Sequence, residues 1–245
     1  MCNSPLFGRR SRVISIEQAT ILLGADRLHS LAVTSSLVGF AGQGLPNEEV
    51  AAFWKHSFFA AMLSKHLAQY TGYTETEQAY IAGLLHDIGQ VPQWMLIVEE
   101  KAKAQGDPPN DWFDNPAVQR RYFGIDHCEL GSFMVKSWDL MPSFIDVVLK
   151  HHEPREAQHD PCLVKIVAGV EHFLLAKEDS SRGAGEVAEL FGEPQKSGTP
   201  SFTERTRQPF GAADRQTISK RLEDEYDRLV PLVEETLTSI LGISN

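Results

Sequence analysis

The segment Leu84-Leu85-His86-Asp87-Ile88-Gly89-Gln90 sets an imidazole beside a carboxylate at the end of an apolar run. One neutral nitrogen donor next to one anionic oxygen donor suits a divalent metal. Alone, the dipeptide has a simpler explanation, because a histidine at a helix C-terminus also interacts well with the helix dipole. Three further positions shift the balance: His56, His127 and the doublet His151-His152. His56 shares a helical face with Phe53, Ala60 and Leu63, and by itself would be a core histidine bonded to a carbonyl. His127 follows the helix cap Asp126. The doublet ends a helix whose apolar stripe reads Ile145, Val148, Leu149, with His152 extending that stripe and His151 turned by about 100° onto the adjoining face. His66, His159 and His172 lack any such context. Histidines carried in this order on separate helices are sufficient for a one- or two-metal site that binds hydroxide. The leading expectation is therefore a metal-centred phosphohydrolase scaffold.

These side chains must be positioned by helices, since no strand-like alternation of any length occurs. Apolar periodicity over 13–40 suggests two helices broken at Gly24, followed by a loop at Gly42–Pro46. A long helix is expected over about 47–71, and another starts at Thr74 with Glu77 completing a capping box and runs to His86-Asp87. Helices near 91–104, 115–122, 126–138, 142–152 and 161–177 follow, with a breaker at Gly106-Asp107-Pro108-Pro109. Residues 179–213 are rich in Ser, Gly, Pro and Thr and read as a flexible linker. An amphipathic helix then repeats Ile218, Leu222, Leu229, Val233 and Leu237. The expected organisation is a helical domain over 1–178, the linker 179–213, and a C-terminal helix within 214–245.

The 245 residues are 42% hydrophobic and 23% charged, which places the chain among soluble globular proteins. A net charge of −10 and the lack of a basic stripe argue against direct nucleic-acid binding. No apolar run approaches the roughly 20 residues that cross a bilayer, so no membrane role is expected. Cys2, Cys128 and Cys162 form neither a disulfide framework nor a CxxC zinc motif, which fits a reducing cytoplasm.

Several elements in order resemble a known family. They are Cys2-Asn3-Ser4-Pro5-Leu6-Phe7-Gly8, Ser15-Ile16-Glu17-Gln18-Ala19 running to Leu22-Leu23-Gly24, and Phe53-Trp54-Lys55-His56-Ser57. After them come Ala82–Gly89, Asp126-His127 through Gly131, Trp138–Pro142 and His151-His152-Glu153-Pro154. Over roughly 2–177 the chain resembles the HD domain of metal-dependent phosphohydrolases, and most closely its HDOD branch (HD-related output domain) of bacterial signalling proteins. The resemblance implies an all-α, HD-domain-like helical bundle that acts in response regulators and beside receiver, kinase or diguanylate-cyclase-type modules. The sister HD-GYP branch hydrolyses cyclic di-GMP at a two- or three-metal site. Its ligand positions match His56, His86, Asp87, His127, His151 and His152, which implies a divalent cation such as Fe, Mn, Mg or Zn.

Departures from that pattern point the other way. Ala52 stands where some HD-GYP enzymes carry a glutamate. Gln90 replaces the lysine that is a candidate phosphate contact, and Pro154-Arg155-Glu156-Ala157 replaces the GYP signature. The closing aspartate should fall on the helix 163–175, where the first carboxylate is Glu171, a turn away from the pattern. The family's N-terminal helical bundle is also expected before Cys2, so the chain reads as a fragment or as a version completed by a partner. Two functions compete. The first is a non-catalytic output domain with a structural or metal-sensing pocket. The second is a phosphohydrolase in which Asp87, with His86, bridges metals and orients the attacking hydroxide. The C-terminal helix leaves room for a third role in docking or homodimerisation.

Overall fold

Phe53, Trp54, Phe58, Leu63 and Leu67 recur at helical spacing, and they line the buried side of α1 (Asn47–Thr71). In the computed structural model of the chain, the described residues are 24, 29–30, 32–34, 36, 47–102, 115–178 and 215–241. The Cys2–Gly8 element, the Ser15–Leu23 element, the Gly42–Pro46 loop, the Gly106–Pro109 breaker and the 179–213 linker lie outside them.

Against α1 packs α2 (Thr76–Leu85), and the approach is so close that only glycine fits at one point. A Cβ on Gly83 would stand 2.5 Å from the Ala60 carbonyl oxygen and 2.9 Å from Ser64 Oγ. The chain continues through α3 (Gln90–Ala102), α4 (Pro116–Phe123), α5 (His127–Ser137), α6 (Pro142–Lys150), a 3-10 turn (Pro154–Glu156), α7 (Pro161–Glu178) and α8 (Arg215–Leu241). No strand occurs among the described residues, and the all-α expectation holds. No described helix is long and apolar enough to cross a membrane.

Helix starts follow local chemistry. Asn115 Oδ1 accepts from the Ala117 and Val118 amides ahead of α4, and Asp126 Oδ1 accepts from the Glu129 amide at 2.8 Å ahead of α5. Pro142 opens α6 as an N-terminal proline. The expected capping box of α2 is not formed. Its cap position is Glu75, without a side-chain cap bond, and Thr74 Oγ1 donates to Glu75 Oε1 instead. Glu77 turns toward Lys65 on α1 and accepts from Ser30 Oγ, because a cation outbids a neutral amide for a carboxylate.

The helix α8 closes the core. Ile218, Leu222, Leu229, Val233 and Leu237 are buried as one stripe, packed on α1 and α7. Tyr226 stacks on Phe59 with ring centres 4.6 Å apart, and the Arg221 guanidinium sits 4.2 Å over the Tyr70 ring.

Candidate metal centre

Five helices deliver the site. His56 projects from the middle of α1, and His86-Asp87 follow the last turn of α2. His127 and Cys128 open α5, His151-His152 follow α6, and Glu171 lies in the second half of α7. The turn after Asp87 can meet α5 only because residue 89 is glycine: a Cβ there would lie 2.0 Å from the His127 carbonyl oxygen. That contact draws His127 up to the His86-Asp87 pair.

Two donor groups result. In the first, Glu171 Oε2 is 2.9 Å from His56 Nε2 and 3.0 Å from His86 Nε2, and the two nitrogens are 3.3 Å apart. Asp87 Oδ2 lies 3.4 Å from His86 Nε2 and 3.7 Å from His56 Nε2. In the second, His127 Nε2 is 3.3 Å from His151 Nε2 and 3.2 Å from His152 Nε2, with Cys128 Sγ 3.4 Å away. Asp87 Oδ1 faces this second group, 3.2 Å from His127 Nε2 and 3.4 Å from His151 Nε2. One carboxylate therefore spans both.

The outer ring nitrogens explain why the inner ones converge. His86 Nδ1 donates to the Gly83 carbonyl at 2.8 Å, and His151 Nδ1 to the carbonyls of Val147 and Val148 at 3.2 and 3.1 Å. His127 Nδ1 donates to Gln119 Oε1 at 2.7 Å. The His127 backbone amide donates to the same Gln119 atom at 2.9 Å, which identifies that atom as oxygen and the imidazole as donor. With Nδ1 bonded to these acceptors, each ring turns Nε2 inward, the nitrogen a metal would take. Ring nitrogens packed against carboxylate oxygens call for positive charge among them, a second proton on a ring such as His86 in the metal-free pocket or a metal ion that displaces it. Donors held about 2.0–2.1 Å from one cation stand roughly 3.3 Å apart in a tetrahedron, close to the separations found here. The residues fit divalent metal.

Electrostatics agree. Burial would raise Asp87, but the charge on His86 and contacts with His127 and His151 hold it well below the usual carboxylate range. Burial likewise opposes ionisation of Glu171, and His56 and His86 overcome it. Burial pushes His151 down, and burial with His151 and His127 pushes His152 down to about 2. The carboxylates and the His151-His152 pair are thus in the forms metals bind, whereas burial acts to lower His86 but Asp87 and then Glu171 raise it, so a metal displaces its second proton.

The six ligand candidates read from the sequence, His56, His86, Asp87, His127, His151 and His152, all reach this pocket. The buried stripe of α6 is Phe144, Val147, Val148 and His151 rather than Ile145, Val148 and Leu149, so His151 is the more enclosed of the doublet. Gln90 does not face outward toward a phosphate. It is buried and its Nε2 donates to Asp87 Oδ2 at 2.9 Å. The carboxylate judged out of place, Glu171, stands between His56 and His86, which corrects the expectation of a missing anionic ligand. Cys128, weighed in the sequence only for a disulfide or a CxxC motif, and Gln119 were not among the expected site residues. Gln119 offered no signal, whereas a carboxylate on the buried face of α7 did, because burying one without partners is costly.

The fold has solved counterparts. An HDOD domain protein of unknown function from Geobacter sulfurreducens matches at 24% identity with a TM-score of 0.66, covering 98% of this chain and 79% of its own. A provisionally assigned phosphohydrolase from Shewanella amazonensis matches at 20% identity and TM-score 0.62, over 91% of this chain and 77% of that one. A provisionally assigned signal transduction protein from Marinobacter aquaeolei matches at 16% identity and TM-score 0.65, over 99% of this chain and 51% of that one. No curated protein matches. At these identities the solved structures speak for the fold alone. The model of the HDOD domain matches residues 1–154, most of the helices that build the pocket, and this chain belongs to the HDOD family.

Proposed function

We propose that the chain is a bacterial signal-transduction output domain whose metal-holding pocket is structural or sensory, not catalytic. The observation that carries this reading is enclosure. His86 and His127 are fully buried, and Asp87, Glu171 and His56 are only 3%, 5% and 7% exposed. Catalytic metal sites keep a position open for water and substrate, and structural sites are closed. Gln90, committed to Asp87, is withdrawn from any phosphate. A cation held here would neutralise Asp87 and Glu171 and tie α1, α2, α5, α6 and α7 together. Occupancy would then stiffen the helical surfaces that a receiver, kinase or diguanylate-cyclase-type partner contacts. A cytoplasmic setting accords with the thiols of Cys128 and Cys162, neither of which forms a disulfide among the described residues.

The test is turnover. Protein loaded in turn with Mn, Fe or Zn and incubated with cyclic di-GMP or simple nucleotide phosphodiesters is expected to release no product above that of Asp87→Asn. Metal-dependent hydrolysis that Asp87→Asn abolishes contradicts the reading. A second reading, metal-dependent phosphohydrolase, is favoured by one observation: Glu171 supplies the second carboxylate whose loss would have argued against catalysis. The same assay decides between them.

A further inference from the structure

Two donor groups share Asp87 but differ in chemistry. His56, His86, Asp87 and Glu171 offer two nitrogens and two carboxylate oxygens, while His127, Cys128, His151 and His152 offer three nitrogens and one sulfur. Within each set the ligand atoms all lie within 4.8 Å of one another. Consecutive helical positions point about 100° apart, so His127 and Cys128 would ordinarily diverge. The Gln119 bond to His127 Nδ1 fixes the imidazole with Nε2 3.4 Å from the Cys128 thiol.

We propose that Cys128 is a metal ligand, and that His127, Cys128, His151 and His152 form a thiolate site for a zinc-type cation beside a harder site for an iron- or manganese-type cation. The proposal rests on the reading above that the pocket holds metal, and adds which residues select which ion. An independent observation supports it. Asp87 Oδ1 is buried, accepts no well-directed hydrogen bond, and is aimed at the Nε2 atoms of His127 and His151. An anionic oxygen thus lies against two ring nitrogens of a set that also holds a third nitrogen and a thiol. A cation satisfies all of them. Sulfur with imidazole in a four-donor set favours zinc, and carboxylate with imidazole favours iron or manganese. On binding, the Cys128 S–H bond breaks, the proton leaves to solvent, and a sulfur–metal bond forms with no change in oxidation state.

The test uses the whole chain, stripped by chelator under reducing conditions and titrated with Co(II) as probe. Wild type is expected to bind two Co(II) and develop a sulfur-to-cobalt charge-transfer band. Cys162→Ser, which alters a buried thiol outside both donor sets, keeps that band. Cys128→Ser loses it, and its Zn(II) affinity falls by about tenfold or more while Mn(II) binding is unchanged. Glu171→Gln does the reverse, weakening Mn(II) and keeping the band. X-ray absorption at the zinc edge of the wild type, needing no variant, is expected to show one sulfur neighbour. Bound metal without a sulfur signature, or a band that survives in Cys128→Ser, overturns this proposal alone. Failure to bind any of these metals overturns the metal reading and this proposal with it.

Discussion

Glu171 and His86 meet across the bundle, Oε2 to Nε2 at 3.0 Å, from positions 85 residues apart. The far side of the His86 ring is anchored to the Gly83 carbonyl, so the pair is held from both directions. Glu171→Gln keeps the shape and removes the charge. Its affinity for Mn(II), followed by calorimetry, is expected to fall about tenfold or more. An unchanged affinity would remove Glu171 from the ligand set.

Gln119 acts through His127. Gln119→Ala strips the acceptor from both the ring Nδ1 and the backbone amide of His127, leaving two buried donors unsatisfied. Stability measured by urea unfolding is expected to drop by about 1–3 kcal/mol, and metal affinity by roughly 10–100-fold. Gln119→Glu preserves an acceptor and is expected to recover most of the binding, which separates positioning from simple packing loss.

Gly89→Ala tests the close approach that draws α5 to the His86-Asp87 turn. The added methyl would meet the His127 carbonyl oxygen at 2.0 Å, an overlap no rotamer relieves. The expected loss is at or above the 1–3 kcal/mol typical of overpacked cores. A variant of wild-type Tm with full metal content would show that the two segments are not in the contact described.

Much of this was legible in the residues, and the exceptions have physical causes. Periodicity located α1 to within the bounds found, and the cap Asp126 marked a helix start correctly. Local chemistry failed at α2, where Glu77 chose the distant Lys65 over its own helix end, a tertiary contact no local rule contains. The imidazole positions were readable because each ends or faces an apolar stripe. Glu171 was misjudged by a fixed-spacing argument. It lies four residues after buried Val167 and eight after buried Leu163, so it faces inward, and its longer side chain reaches the histidines. Cys128 and Gln119 become relevant only once α4 and α5 are folded, since nothing in their spacing ties them to His151.

Acid should weaken what the His151-His152 doublet contributes to the metal-free fold. His151 and His152 are depressed in the folded chain, so below about 6.5 the unfolded chain takes up protons that the folded one refuses. Their contribution is full above that value and is lost as pH falls. Burial acts to lower His86, but Asp87 and then Glu171 raise it, and its contribution runs the other way, full below 6.5 and lost as pH rises. His152 is held lowest, so the fall in Tm of chelator-treated protein from pH 7 to pH 5 is expected to be larger in the wild type than in His152→Gln, which lacks that titrating ring. The depressed carboxylates Asp87 and Glu171 add a further loss below about pH 4. The same pH dependence in the two proteins would show that His152 is not held neutral.

Everything turns on whether these converging side chains hold metal. Elemental analysis of protein purified without chelator, paired with the Tm before and after stripping, addresses that directly. Two metal ions per chain are expected, with a Tm that falls on stripping and is restored by Zn(II) together with Mn(II) or Fe(II). Protein that carries no metal, and whose Tm no added divalent cation raises, would contradict the account.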